Sequence, residues 1–149
     1  MKTEIKYGLI ITIGVMVWVL LAHSIVTDQE SLVHKLGSPI VFNLLHFVMI
    51  YLGLKTLERE RGEKVNFKEG VKFGLTISFV YALTASLFFV GVVAMVGTRW
   101  IAGAQGTNTE PVSQILAQAF AALFIGAMLL GLVYSTLLSF FIAKRRSQT

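Results

Sequence analysis

Four stretches of this chain contain no Asp, Glu, Lys or Arg: Tyr7 to Thr27, Leu36 to Leu54, Phe73 to Thr98 and Pro111 to Ala143, of 21, 19, 26 and 33 residues. This pattern limits the fold more than any other. A bilayer hydrocarbon core about 30 Å thick is crossed by about 20 apolar residues in a helix, and in lipid a chain must pair its own backbone groups. A soluble domain would alternate apolar and polar faces, whereas these segments are apolar all round. The expectation is an all-α, four-transmembrane-helix bundle, up-down and antiparallel, forming a single membrane domain over 1–149. Its helices are expected at about 5–25, 38–55, 66–97 and 111–144, with short interfacial helices between some of them.

The charge is concentrated where the apolar runs stop. The stretch Lys55 to Lys72, KTLERERGEKVNFKEGVK, holds ten of the 21 charged residues and reads as the loop between two helical pairs. Lys and Arg are retained on the cytoplasmic side of short membrane loops. Eleven lie at the N-terminus, in this loop or at the C-terminus, whereas the other two connections carry only Lys35 and Arg99. Both termini and the central loop are therefore expected in the cytoplasm. The net charge of +5 sits at helix ends rather than on one soluble face, so no nucleic-acid partner is expected. A cleaved signal peptide is the alternative for the first segment, with Lys2 and Lys6 as basic leader and Ala22-His23-Ser24 as cleavage site. The length of the uncharged run favours a spanning helix.

Local signals refine the spans. Tyr7, Trp18 and Trp100 are placed as interface anchors. Thr27 and Glu30 form a capping-box pattern before a short surface helix over 28–36, with Gly37 as its stop and His34 on its solvated surface. Pro39 suits the first turn of helix two. Asn66 with Glu69 resembles a second capping box, and Glu58 to Glu63 reads as a solvated helix end with paired charges. Lys64, Lys68 and Lys72 lie where anionic lipid is a candidate partner, beside the bilayer itself. Helix four as one piece would be about 50 Å long, so Ser113, Gln114 and Gln118 are expected outside the hydrocarbon. Two stripes of small residues at spacing four mark helix-packing faces: Gly70, Gly74, Ser78, Ala82 and Ser86 on helix three, and Ala127, Gly131, Ser135 and Ser139 on helix four. Small side chains allow the close backbone approach that drives association in lipid, so these two helices are expected to pack antiparallel.

Little in the chain carries chemistry. All eight acids lie outside the spans, which argues against a carboxylate-driven exporter. His46 is the one histidine deep in a span, so a two-haem bis-histidine scheme fails. Converging ligands for zinc or di-iron are missing, as are a phosphate loop and a nucleophile elbow. With no cysteine, thiol chemistry and cysteine-held metals drop out. No catalytic residue, metal or cofactor is assigned. Asn43 and His46, three apart on one face of helix two, form the candidate intramembrane polar site. They could serve a lipid headgroup, a quinone or a proton; the expected role is interhelical hydrogen bonding to Thr84, Ser86 or Tyr134.

The opening MKTEIKYGLIITIG, the helix-two exit YLGLKTLERERG and the stretch NFKEGVKFGLTISFVYAL resemble the uncharacterised bacterial membrane family carrying domain of unknown function 4199 (DUF4199). The resemblance covers most of the chain, matches least over 97–110, and implies an inner-membrane location with no assigned activity. The resulting expectation is a non-enzymatic inner-membrane protein that binds or scaffolds a partner, as a homo-oligomer or an auxiliary subunit of a larger membrane complex. The alternative is an oligomeric transporter or channel subunit for a small solute or lipid, in which Asn43, His46, Thr84 and Tyr134 would line a path.

Overall fold

The structure, a computed structural model of the chain, describes residues 2–25, 36–63, 65–96 and 111–144. These form four helices: α1 (Thr3–Ile25), α2 (Ser38–Arg61), α3 (Phe67–Val96) and α4 (Val112–Lys144). Among the described residues there is no strand, and each helix is long and apolar enough to cross a membrane. The protein is a multi-pass helical bundle of that kind. The box at Thr27 and Glu30, the surface helix over 28–36 with His34, the anchor Trp100, and Lys64 fall outside the described residues.

The helices extend beyond the apolar runs that specify them. α2 passes Leu54 and continues through Lys55 to Arg61, so the expected loop from Lys55 to Lys72 is mostly helix. The reason is local. Lys, Leu, Glu and Arg all favour helix, and Lys55 Nζ pairs with Glu58 at 3.0 Å one turn on. Gly62, in the left-handed conformation at φ 67°, stops the helix, a geometry glycine adopts without a Cβ penalty. α3 then starts where Asn66 Oδ1 accepts the backbone N–H of Glu69 at 2.9 Å. Residues 62–66 are all that remains of the turn. Gly37 is not the left-handed stop expected of it: its backbone is right-handed helical (φ −63°, ψ −45°) and it leads directly into α2. α4 is a single helix of 33 residues, with Ser113, Gln114 and Gln118 exposed at its start.

Contacts fix the directions. α1 and α2 run antiparallel, joined at one end by Thr3 Oγ1 to Glu60 at 3.1 Å and Tyr7 OH to Thr56 at 2.8 Å. At the other end Trp18 Nε1 donates to Ser38 Oγ at 3.1 Å. α3 and α4 run antiparallel along the most extensive interface of the molecule. Gly70 faces Ser139, Gly74 faces Ser135 and Gly131 faces Ser78, each close enough that an added methyl would collide with its opposite number. α1 lies alongside α3 in the same direction: Gly8 abuts Val80, and Thr12 meets Thr84. α2 contacts both α3 and α4, whereas α1 and α4 have no comparable contact. The ring order is therefore α1, α2, α4, α3, with sequence neighbours α2 and α3 diagonal.

The buried apolar core runs along the axis, from Ile11, Ile50 and Ile77 to Leu54, Leu57, Phe73, Leu138 and Ile142 at the end that carries the 62–66 turn. Val65 in that turn is buried too and plugs this end. The outer faces are apolar as well, with Leu20, Leu44, Leu129 and Phe141 exposed, as helices bathed in hydrocarbon require.

Candidate functional site

The polar residues at membrane depth converge where α2 crosses the α3–α4 seam. Asn43 and His46 are one turn apart, and an α-helix puts residues three apart on one face. That face meets two different helices. His46 is buried (2 % exposed), and its Nε2 lies 2.9 Å from Ser78 Oγ on α3. Ser78 Oγ also lies 2.9 Å from the carbonyl of Gly74; its single hydroxyl proton serves one of these contacts, and when it goes to the carbonyl, Nε2 is the donor to Ser78. Tyr81 of α3 and Tyr134 of α4 flank the ring edge-on, with centroids 4.9 and 5.5 Å away, the arrangement that ring quadrupoles prefer. The backbone of Gly131 closes the remaining side: a methyl there would reach within 3.5 Å of His46 Cε1.

Asn43 faces α4. Its Nδ2 donates to the carbonyl of Pro39 at 2.7 Å, which holds the amide in orientation, and its Oδ1 accepts from Tyr134 OH at 2.6 Å. Phe47, one turn along, packs its ring at right angles against the same tyrosine. α2 is thus keyed to α3 through His46 and to α4 through Asn43.

The sequence placed Tyr134 correctly in reach of this pair but missed the partner of His46. That partner is Ser78, which its place on the small-residue stripe marks only for packing, whereas Ser86 Oγ has no partner among the described residues and Thr84 is engaged elsewhere. Thr84 Oγ1 lies 2.6 Å from Thr12 Oγ1 of α1. Both hydroxyls are also within bonding distance of carbonyls one turn back, Gly8 at 3.1 Å and Val80 at 2.7 Å. Thr84 is also 3.3 Å from the carbonyl of Tyr81; two protons serve these four contacts, so when one threonine donates across the interface the other donates along its own helix. The signal for Thr12 was present, as a hydroxyl one turn from a glycine inside a span.

The small-residue stripes divide by role. Gly74, Ser78, Gly131 and Ser135 form the contact seam, with Ser135 donating to the carbonyl of Gly131 at 2.6 Å. Ser139 continues it against Gly70, and Ala82 and Ser86 are buried further along α3. Ala127 on α4 is half-buried. The hydroxyls of Ser86 and Ser139 are buried with no hydrogen-bond partner among the described residues. At those two positions the side chain acts through its size, whereas Ser78 acts through its oxygen. Among the described residues no three His, Cys, Asp or Glu side chains come together as a metal site. The cluster as built orients helices: His46–Ser78 and Tyr134–Asn43 cross between helices, and the bonds to Pro39 and Gly74 hold Asn43 and Ser78 in place on their own helices.

A scan of protein-family models and searches of curated proteins and of solved structures give no match to this chain.

Proposed function

We propose that this chain is a non-catalytic multi-pass protein of the bacterial inner membrane that holds a partner, as a homo-oligomer or as an auxiliary subunit of a larger membrane complex. We also propose that it is a divergent relative of the DUF4199 family, on the strength of its opening, its helix-two exit and the stretch from Asn66. One observation carries the functional reading. Asn43 is paired with Tyr134 and His46 with Ser78, so among the described residues the surface is an apolar belt with charge gathered at the helix ends, most densely on one charged projection. That projection is the last two turns of α2 with the first turn of α3, where Arg59, Glu60 and Arg61 are exposed. It is tied down by Thr3 to Glu60 at 3.1 Å and Arg61 to Glu69 at 3.6 Å. A charged projection carried on helical backbone suits recognition because little backbone freedom is lost on binding. The excess of Lys and Arg at the termini and in this turn supports a cytoplasmic position for all three.

The test is the mass of the protein extracted from its own membranes in mild detergent. The expected species is a discrete assembly well above the 16.4 kDa of one chain, reduced to the single chain by reversing the charge of Arg59 and Arg61 together. A lone monomer in the unaltered protein refutes the partner-holding role. Solute flux through vesicles containing only this protein would shift the assignment to the oligomeric transporter or channel.

A further inference from the structure

We propose that a trough on the outer face of α3 and α4, beside the 62–66 turn, seats one anionic phospholipid, with its phosphate between Lys68 and Lys72 and an acyl chain along the apolar floor. The inference needs only that the helices cross a membrane, and stands apart from the partner-holding role proposed above.

The trough has a volume of about 770 Å³ and is lined by Lys68, Lys72, Leu75 and Phe79 of α3 with Met128 and Thr136 of α4. That size falls among ligand clefts, which run from about 300 to 1,000 Å³. Its polarity is graded along one direction. Lys68 and Lys72 are one turn apart at the start of α3, both exposed, and the positions that follow on that face are Leu75, Thr76 and Phe79, of which Thr76 spends its hydroxyl proton on the carbonyl of Lys72 at 2.9 Å. From Lys68 to Phe79 is eleven residues, about 16 Å at 1.5 Å per residue, close to the roughly 15 Å of one leaflet's hydrocarbon. Cationic heads at one end of an apolar strip one leaflet long match the plan of a phospholipid. The sign of the headgroup follows from the charges. Two ammonium groups face the phosphate, and the start of a helix adds partial positive charge. The acid in that first turn, Glu69, is drawn to Arg61 instead. Among the described residues neither lysine is ion-paired. The long lysine side chains can lie along the apolar surface while their charges reach the headgroup layer.

The test uses the full-length protein, stripped of lipid in detergent and titrated with phosphatidylglycerol or phosphatidylcholine of identical chains. Bound lipids are counted by native mass spectrometry. Each lysine near an anionic headgroup is worth about a fivefold change in affinity, so phosphatidylglycerol should bind about 30-fold more tightly than phosphatidylcholine. K68Q with K72Q should bring the two lipids level, phosphatidylglycerol losing far more than phosphatidylcholine, whose phosphate attraction is offset by its own choline cation. T136W, which fills the trough and leaves both lysines, should weaken both lipids. Glycerol phosphate, a headgroup without chains, should not displace phosphatidylglycerol. The proposal is overturned if the unaltered protein binds the two lipids alike, if K68Q with K72Q keeps the preference, or if glycerol phosphate competes. It is also overturned if T136W folds and binds both as before. Should T136W fail to fold, the exposed lysine substitutions decide the matter on their own.

Discussion

Replacing Gly131 by alanine adds one methyl to α4, and the structure says where it goes. It lands on Cβ and Oγ of Ser78 and approaches His46 Cε1 at 3.5 Å. The obstacle is the stem of a short side chain on a helix backbone, so it cannot swing aside; the helices must separate. Overpacking of this kind costs about 1–3 kcal/mol, and displacing Ser78 removes the bond to His46, worth about 0.6 kcal/mol in a membrane. In Gly131→Ala the clash and the lost bond therefore destabilise by about 2–3 kcal/mol. Five residues earlier on the same helix, a methyl at Gly126 meets nothing within 4 Å. There alanine only raises helix propensity, by up to about 1 kcal/mol. Both substitutions gain that propensity, so they should differ by the clash and the lost bond, about 2–3 kcal/mol, with opposite signs. Unfolding by graded denaturing detergent, followed by circular dichroism, reads that difference. Gly74→Ala should behave like Gly131→Ala, and adding Ser135→Gly should recover much of the loss, because the new methyl at 74 meets Ser135 Cβ. Equal midpoints for Gly131→Ala and Gly126→Ala would show that α3 and α4 do not touch along this seam.

Four further outcomes follow from particular contacts. Ser78→Ala should destabilise by about 1 kcal/mol in the same detergent titration, because it leaves the buried Nε2 of His46 without its hydrogen-bond partner. Ser86→Ala and Ser139→Ala, whose hydroxyls have no partner among the described residues, should be neutral or stabilising. Asn43→Leu and Tyr134→Phe should show a coupling energy of about 0.6 kcal/mol in a double-mutant cycle; additive effects would mean that their bond contributes nothing. At the 62–66 turn, Asn66→Ala should cost about 1 kcal/mol through the lost cap, and Gly62→Ala about 1–2 kcal/mol through the left-handed backbone. Both should speed limited proteolysis between Arg61 and Phe67.

The spans were legible because their cause is a simple one. An apolar run of sufficient length has no stable alternative in lipid, so the positions of α1 to α4 follow from hydropathy. Where the helices end is a different matter. Nothing apolar marks the continuation of α2 through Glu58 to Arg61; its support comes from helix propensity, ion pairing and water, which a hydropathy pattern does not register. The seam between α3 and α4 was legible from residue size at spacing four. The difference between Ser78 and Ser86 was not, although both sit on that one stripe. It depends on which helix lies across each, and helices that are apolar all round carry no mark of their neighbours. For the same reason the ring order, with Thr12 of α1 set against Thr84 of α3, had no counterpart in the spacing of residues.

The setting of a glycine opposite a serine at each level of that seam also fixes how far one helix slides along the other. Moving α4 by one turn in one direction sets Ser78 against Ser135, two side chains where there is room for one. Moving it a turn the other way sets Gly74 against Gly131 and opens a gap that neither backbone can fill. The hairpin has a single seat, as a notched rod has in its keeper. His46 and Asn43, which each reach a different one of the two helices, fit across only when α3 and α4 have come to rest there.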